Sequence, residues 1–187
     1  MKRVSVIGIS GSGKTHVALR LARILECPHI ELDALYHQSG WRPMEDSLFR
    51  ARLEETTAGD AWVIDGSYRD WVSEGVVWKR ADTVVWIKLS KMATMRQLAQ
   101  RSARRAVYRE ELWNGNREDL RKVLSLDPKR SILADVWERY ARYNEQFEAY
   151  RKDPRFAHLT FVVLTNRGHV DDWLAQIECD HATLHAK

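Results

Sequence analysis

Cysteine is almost absent from the 187 residues, present only as Cys27 and Cys179. Neither has the spacing of a metal or redox motif, so a disulfide scaffold is not expected. The two thiols read as buried or incidental in a reducing compartment. No apolar run is long enough to cross a bilayer. The one after Met1-Lys2-Arg3 is cut short by Gly8, which argues against a secretory signal. Internal repeats and low-complexity segments are missing too. These absences predict a cytoplasmic protein with no membrane partner. Hydrophobic residues make up 44% and charged residues 30%, ordinary for a soluble globular chain. The length suits one α/β domain with room for a small inserted subdomain. A net charge of +4 and a pI near 9.1 raise nucleic acid as a partner. Many of the basic residues fall between Arg96 and Arg121, however, which suits a lid over a triphosphate equally well.

Gly8-Ile9-Ser10-Gly11-Ser12-Gly13-Lys14-Thr15 matches the phosphate-binding pattern G-x-x-x-x-G-K-[ST] at every fixed position. Val4–Ile7 before it reads as a buried strand. His16–Leu25 after it reads as a helix, with Val17, Leu21, Ile24 and Leu25 on one stripe. The chemistry needs these types. Glycines let successive N–H groups curl around phosphate oxygens, and the helix directs its positive end at the same anion. Lys14 can reach the β- and γ-phosphates, and the Thr15 hydroxyl can ligate Mg²⁺. Gly8, Ser10, Gly11, Ser12, Gly13, Lys14 and Thr15 are therefore the candidate nucleotide-binding residues, with ATP and Mg²⁺ as cofactors.

Further along, Pro28–Leu32 reads as a second strand ending at Asp33, followed by a loop to Pro43. Glu45–Ala58 reads as a helix, and Ala61–Ile64 as a third strand delivering Asp65-Gly66. Residues 71–81 carry no clear pattern. Thr83–Leu89 is a fourth strand, apolar enough for burial on both faces. Met92–Arg109 is helical, with Met92, Met95, Leu98 or Ala99, and Ala106 inward. Asn114-Gly115 breaks the chain, and helix resumes over Glu118–Leu126. Ile132, Val136, Tyr140, Tyr143, Phe147 and Tyr150 mark a long helix. Phe161–Leu164 is a fifth strand and Val170–Glu178 a closing helix, with a loose tail from Asp180. Alternation of this kind predicts a parallel sheet between helices, in one domain over residues 1–179.

Asp33 and Asp65 each close an apolar strand, where ligands of open α/β sheets bind. A carboxylate there can hold Mg²⁺-bound water or take a proton from an attacking hydroxyl, and it can also simply cap a turn. Tyr36, Trp41, Tyr68 and Trp113 stand in predicted loops near the strand ends, available for stacking on a ring or for packing. His181 and His185 have i,i+4 spacing but lack a third ligand. His37 reads as a polar loop residue.

Three stretches together resemble the adenylate-kinase-like P-loop proteins: Gly8–Thr15, His29–Tyr36 (with L-D-A-L-Y), and Val63–Arg69 (with D-G-S-Y-R). The likeness is greatest to the topology-modulation-protein-like kinases and extends through Leu112–Glu118. It implies a five-stranded parallel sheet in the order 2-3-1-4-5 and an arginine-bearing helical lid, placed at about residues 96–128. Nucleoside monophosphate kinases carry D-G-F-P-R after strand three. Here Ser67-Tyr68 replaces Phe-Pro, while Arg69 keeps the register of the arginine that grips an acceptor phosphate. Shikimate-kinase-like relatives carry D-x-D at the end of strand two. Here the pair is Glu31-x-Asp33, with Glu31 the weaker magnesium-shell candidate. Arg101, Arg105 and Arg109 share a helical face, with Arg104 beside Arg105, and positive charge on a transferring phosphoryl group is worth about 10³–10⁵ in rate. Arg139 and Arg142 are further candidates to reach the phosphates.

Two functions compete. One is a kinase transferring the γ-phosphoryl group of ATP to a small acceptor, with Lys14, Asp33, Arg101, Arg104 and Arg105 catalytic. Asp33, Tyr36, Trp41, Asp65, Tyr68 and Arg69 would contact the substrate, and Thr15 and Asp65 the metal. The other is an ATPase or nucleotide switch acting on a macromolecule such as DNA. No acidic pair follows strand three or four to position a hydrolytic water, so the kinase is favoured, with a nucleoside or nucleotide as acceptor. The pattern leaves monomer or dimer open.

Overall fold

The computed structural model describes every residue except 69–71, 73, 74, 120–124, 126, 130, 186 and 187, and the side chains of 184 and 185. Five strands form one parallel sheet: β1 (Arg3–Ile7), β2 (His29–Glu31), β3 (Trp62–Asp65), β4 (Thr83–Ile87) and β5 (Thr160–Leu164). Their order is β2-β3-β1-β4-β5, as the resemblance implies. The central strands are buried on both sides because helices cover both faces of the sheet. Val4, Val6, Val63 and Val85 point toward α1 (Lys14–Ile24) and α7 (Arg167–His185), meeting Val17, Leu21, Val170 and Leu174. Trp62, Ile64, Val84 and Trp86 point the other way, toward α3 (Asp46–Thr56), α4 (Val77–Arg80) and α6 (Ile132–Lys152). α4 lies within residues 71–81, which lack a sequence pattern. Trp78 from this turn is buried against Phe147, Tyr150, Phe156 and Phe161 and donates to Ser5 Oγ at 3.1 Å.

Several elements differ from expectation. β2 stops at Glu31, and Leu32–Tyr36 forms a short helix, α2, so Asp33 stands in a helical turn rather than at a strand end. The reason is tertiary: the Leu32 side chain is buried directly over Gly66. His37–Gln38 and Arg42–Pro43 then pair as a small antiparallel ladder inside the expected loop. α5 (Lys91–Val107) buries Leu98, but Met92 is 69% exposed rather than inward. Glu118 and Asp119 are not helical, and most of the helix expected there lies outside the described residues. α7 continues through His185, so the segment from Asp180 is helical, not loose. Among the described residues, no helix is long and apolar enough to cross a membrane.

Gly66 ends β3 at φ 140°, and a Cβ there would meet Leu32 Cβ at 2.7 Å. Gly66→Ala is therefore expected to cost roughly 2–4 kcal/mol, from strained backbone plus overpacking. Urea denaturation monitored by tryptophan fluorescence measures this; a loss below about 0.5 kcal/mol, the ordinary surface range, would contradict it.

Candidate active site

The turn from β1 into α1 carries the glycine-rich loop. Gly11 and Gly13 adopt φ of 86° and 92°, and Gly13 caps α1 with no side-chain partner and no acidic residue in the first turn. The helix thus presents free N–H groups and an unneutralised positive end, which fits a phosphate. A Cβ on Gly11 would lie 2.7 Å from Leu98 Cβ and 2.9 Å from the Thr94 carbonyl, so glycine lets the loop press against α5. Gly8, Ser10 and Lys14 line a cleft of about 800 Å³, while Gly11, Ser12, Gly13 and Thr15 form its support.

Behind the loop, the Thr15 hydroxyl donates to Asp65 Oδ2 at 2.5 Å, and His29 Nε2 stands 3.1 Å from Oδ1. Asp65 is 1% exposed and does not line the cleft. It therefore lies beneath the glycine-rich loop rather than on the cleft wall, where the expected substrate contact would put it. Among the described residues, no group of three or more His, Cys, Asp or Glu could hold a metal unaided. A hydroxyl and a carboxylate suit magnesium, which takes oxygen donors and draws its remaining ligands from phosphates and water. Thr15 and Asp65 fit that ion.

Across the cleft lies Asp33, whose Oδ1 accepts the Tyr68 hydroxyl at 2.8 Å. The same phenol oxygen is 3.2 Å from His37 Nε2. Because Tyr68 has one proton and gives it to Asp33, His37 must donate from Nε2, leaving Nδ1 bare. Burial holds the His37 imidazole below its ordinary range although Asp33 pulls it up, so the ring is neutral at pH 7. Burial, then Asp33, push the Tyr68 phenol far above its ordinary range, so it remains a donor. His37 lies 5.3 Å from Trp41 and 6.0 Å from Trp113, making an aromatic wall. Tyr36, expected to meet substrate, instead packs against Phe49 and Tyr68 at 5.1 and 4.6 Å and does not line the cleft. Arg69 lies outside the described residues.

The wall is held by two asparagines of the Leu112–Glu118 stretch, to which the sequence assigns no role in the site. Asn116 is buried; its amide donates to Gln38 O at 2.9 Å and its Oδ1 accepts from Trp41 N at 2.8 Å. Asn114 Nδ2 donates to His37 O at 2.6 Å. The Trp113 indole donates to Glu31, whose carboxyl is raised above the usual range chiefly by burial. Such amide clamps give no signal in a sequence, since their partners lie more than seventy residues away.

The arginines divide. Arg101 and Arg105 line the cleft; Arg105 pairs with Glu118 at 3.0 Å and lies over Trp113 at 5.9 Å. Arg104 does not: it is 64% exposed and pairs with Glu110 at 3.0 Å. Arg109 follows the end of α5 at φ 48° and is exposed, off the shared face. The helix's phase turns Arg104 out of the cleft, against the expectation that it stands with Arg101 and Arg105. From α6, Arg139 and Arg142 line the cleft, and Arg139 pairs with Asp135 at 3.1 Å.

No protein-family model matches the chain. It is 26% identical to the cytidylate kinase of Pyrobaculum arsenaticum over 156 residues, which span 71% of this chain and 80% of that protein. Its structure resembles shikimate kinase from Acinetobacter baumannii solved with shikimate, at TM-score 0.56 and 18% identity over 100% and 95% of the two chains. It also resembles shikimate kinase from Bacteroides thetaiotaomicron, at TM-score 0.54 and 16% identity over 95% and 96%. The fold is that of the P-loop kinases.

The division of the arginines is testable through ATP turnover. Arg101→Ala is expected to lower kcat by about 10²-fold or more with little change in ATP affinity, and Arg104→Ala to change both less than about twofold. Equal effects from the two variants would contradict the placement.

Proposed function

We propose that the chain is a magnesium-dependent phosphotransferase that moves the γ-phosphoryl group of ATP to a hydroxyl of a small acceptor, a nucleoside or nucleotide. One observation carries this reading: Lys14 and the Tyr68-held Asp33 line the same cleft. The glycine loop and the α1 N-terminus hold the phosphates, and Lys14 spreads its charge over them. Thr15 and Asp65 would hold magnesium, which when bound would neutralise charge on the triphosphate. Tyr68 engages one oxygen of Asp33, and the other receives the proton of the acceptor hydroxyl as that oxygen bonds to phosphorus. The bond from phosphorus to the β-phosphate oxygen breaks, and ADP leaves. Arg101 and Arg105, on the lid that begins along α5, supply positive charge to the moving group. The rings of Trp41, Trp113 and His37 suit the flat faces of a base or sugar.

The likeness to a cytidylate kinase supports a nucleotide-type acceptor. Within the P-loop kinases, the L-D-A-L-Y and D-G-S-Y-R stretches support a relation to the topology-modulation-protein-like group.

The test is ATP consumption, with and without Mg²⁺, against nucleosides, nucleoside monophosphates, small hydroxy acids and double-stranded DNA. Turnover is expected to need Mg²⁺ and to rise with a nucleoside or nucleotide. Lys14→Ala should abolish it while the fold persists. Asp33→Asn should keep ATP affinity and lose about 10²–10⁴ in kcat, with no rescue by excess Mg²⁺. Turnover that responds to DNA and to no small acceptor would assign a macromolecule-coupled ATPase instead.

A further inference from the structure

His29 opens β2 next to Pro28, and nothing in the phosphate-loop pattern calls for it. The fold nevertheless brings its Nε2 to 3.1 Å from Asp65 Oδ1, opposite the oxygen that accepts from Thr15. The strand register explains how. Glu31 pairs with Asp65, and His29, two residues earlier, projects from the same face of the sheet. Asp65 is thereby flanked by one like charge and one imidazole. A carboxylate's terminal torsion is broad and nearly two-fold, so a single bond to Thr15 would leave it free to turn, and Glu31 would repel it. The bond from His29 removes that freedom. With Oδ2 fixed as the acceptor for the Thr15 proton, the lone pairs of Thr15 Oγ1 are left for a cation.

We propose that His29 is a positioning residue for the nucleotide's magnesium: by anchoring Asp65 Oδ1 it keeps Oδ2 on the Thr15 hydroxyl and so orients the oxygen that binds the metal. His29 itself ligates nothing. The inference rests on reading this site as one for a magnesium–nucleotide complex. Partners of this kind, one bond removed from a metal ligand, typically set metal affinity by about 10- to 100-fold.

The experiment is a fluorescence titration of the full chain with N-methylanthraniloyl-ADP, in excess Mg²⁺ and in EDTA. Wild type is expected to bind the probe more tightly with Mg²⁺. In His29→Ala, affinity in EDTA should stay within about twofold while the gain from Mg²⁺ shrinks roughly 10-fold. His29→Gln, whose amide can donate to Oδ1, should recover most of that gain. If the alanine variant does not fold by circular dichroism, His29→Asn, polar but too short to reach Asp65, takes its place under the same criteria. A full Mg²⁺ gain in the alanine or asparagine variant overturns the proposal. So does an equal loss with and without Mg²⁺, or a glutamine variant no better than alanine. No Mg²⁺ gain in wild type overturns the nucleotide-site reading itself, which separates the two failures.

Discussion

Asp65 ends β3 at 1% exposure, and a carboxylate placed there must be held by donors or its burial is strongly unfavourable. The Thr15 hydroxyl meets that requirement from the first turn of α1, and His29 meets it from β2. Three segments far apart in sequence are thereby fixed at one point. The consequence for α1 is rotational. With Thr15 turned down onto the sheet, Lys14 faces the cleft, and Val17, Ala18, Leu21 and Ala22 face β1 and β3. The glycine loop then has to close the gap between Ile7 and Lys14 under Leu98 of α5, which is why Gly11 tolerates no Cβ.

The residues just after Asp65 extend the same logic across the cleft. Ser67 Oγ accepts from Gly8 N at 3.2 Å and donates to Gly8 O at 3.1 Å, and Tyr143 of α6 donates to it at 2.7 Å. Its neighbour Tyr68 reaches the other way, to Asp33 and His37. The glycine-rich loop and the Asp33 side of the cleft therefore share adjacent residues of one strap. A proline in place of Tyr68 would remove the phenol that holds Asp33. The departure from the Phe-Pro pattern of nucleoside monophosphate kinases is thus tied to a different way of orienting the acceptor-side carboxylate.

Much of this was legible in the sequence, because the signals were local. The phosphate loop has a fixed spacing, and the five strands are apolar runs separated by helices, so the sheet order follows from resemblance. Features decided by distant contacts were not legible. Leu32 starts a helix because it packs over Gly66, although the sequence reads Leu32 as the last residue of a strand and Ala34 as the start of a loop. Trp78 nucleates an aromatic cluster from a segment with no periodicity. Arg104 seemed a neighbour of Arg105 along the chain, yet a 100° step between consecutive helical residues turns it out to Glu110. His29 and Asn116 lie in stretches that carry the resemblance, but no role could be read for either, because each acts through distant partners, Asp65 for one and Gln38 and Trp41 for the other.

The arginines that line the cleft differ in how they are satisfied. Arg105 and Arg139 are already paired with Glu118 and Asp135. Arg101 Nε is buried with no hydrogen-bond partner among the described residues. Desolvation and, next, the Arg105 guanidinium hold it below its ordinary range, against the pull of Glu118, Asp33 and Glu31. A guanidinium stays charged even so; the cost appears as an unsatisfied donor in a medium where unit charges act strongly. An arriving phosphoryl group would satisfy that donor and relieve the repulsion from Arg105 together. Because the pair lies in the cleft, salt screens this attraction less than it screens the exposed Arg104–Glu110 pair. A buried donor left without a partner beside a second guanidinium is an arrangement that an anion would stabilise, and this supports the proposal that Arg101, rather than its more exposed neighbour Arg104, meets the moving group.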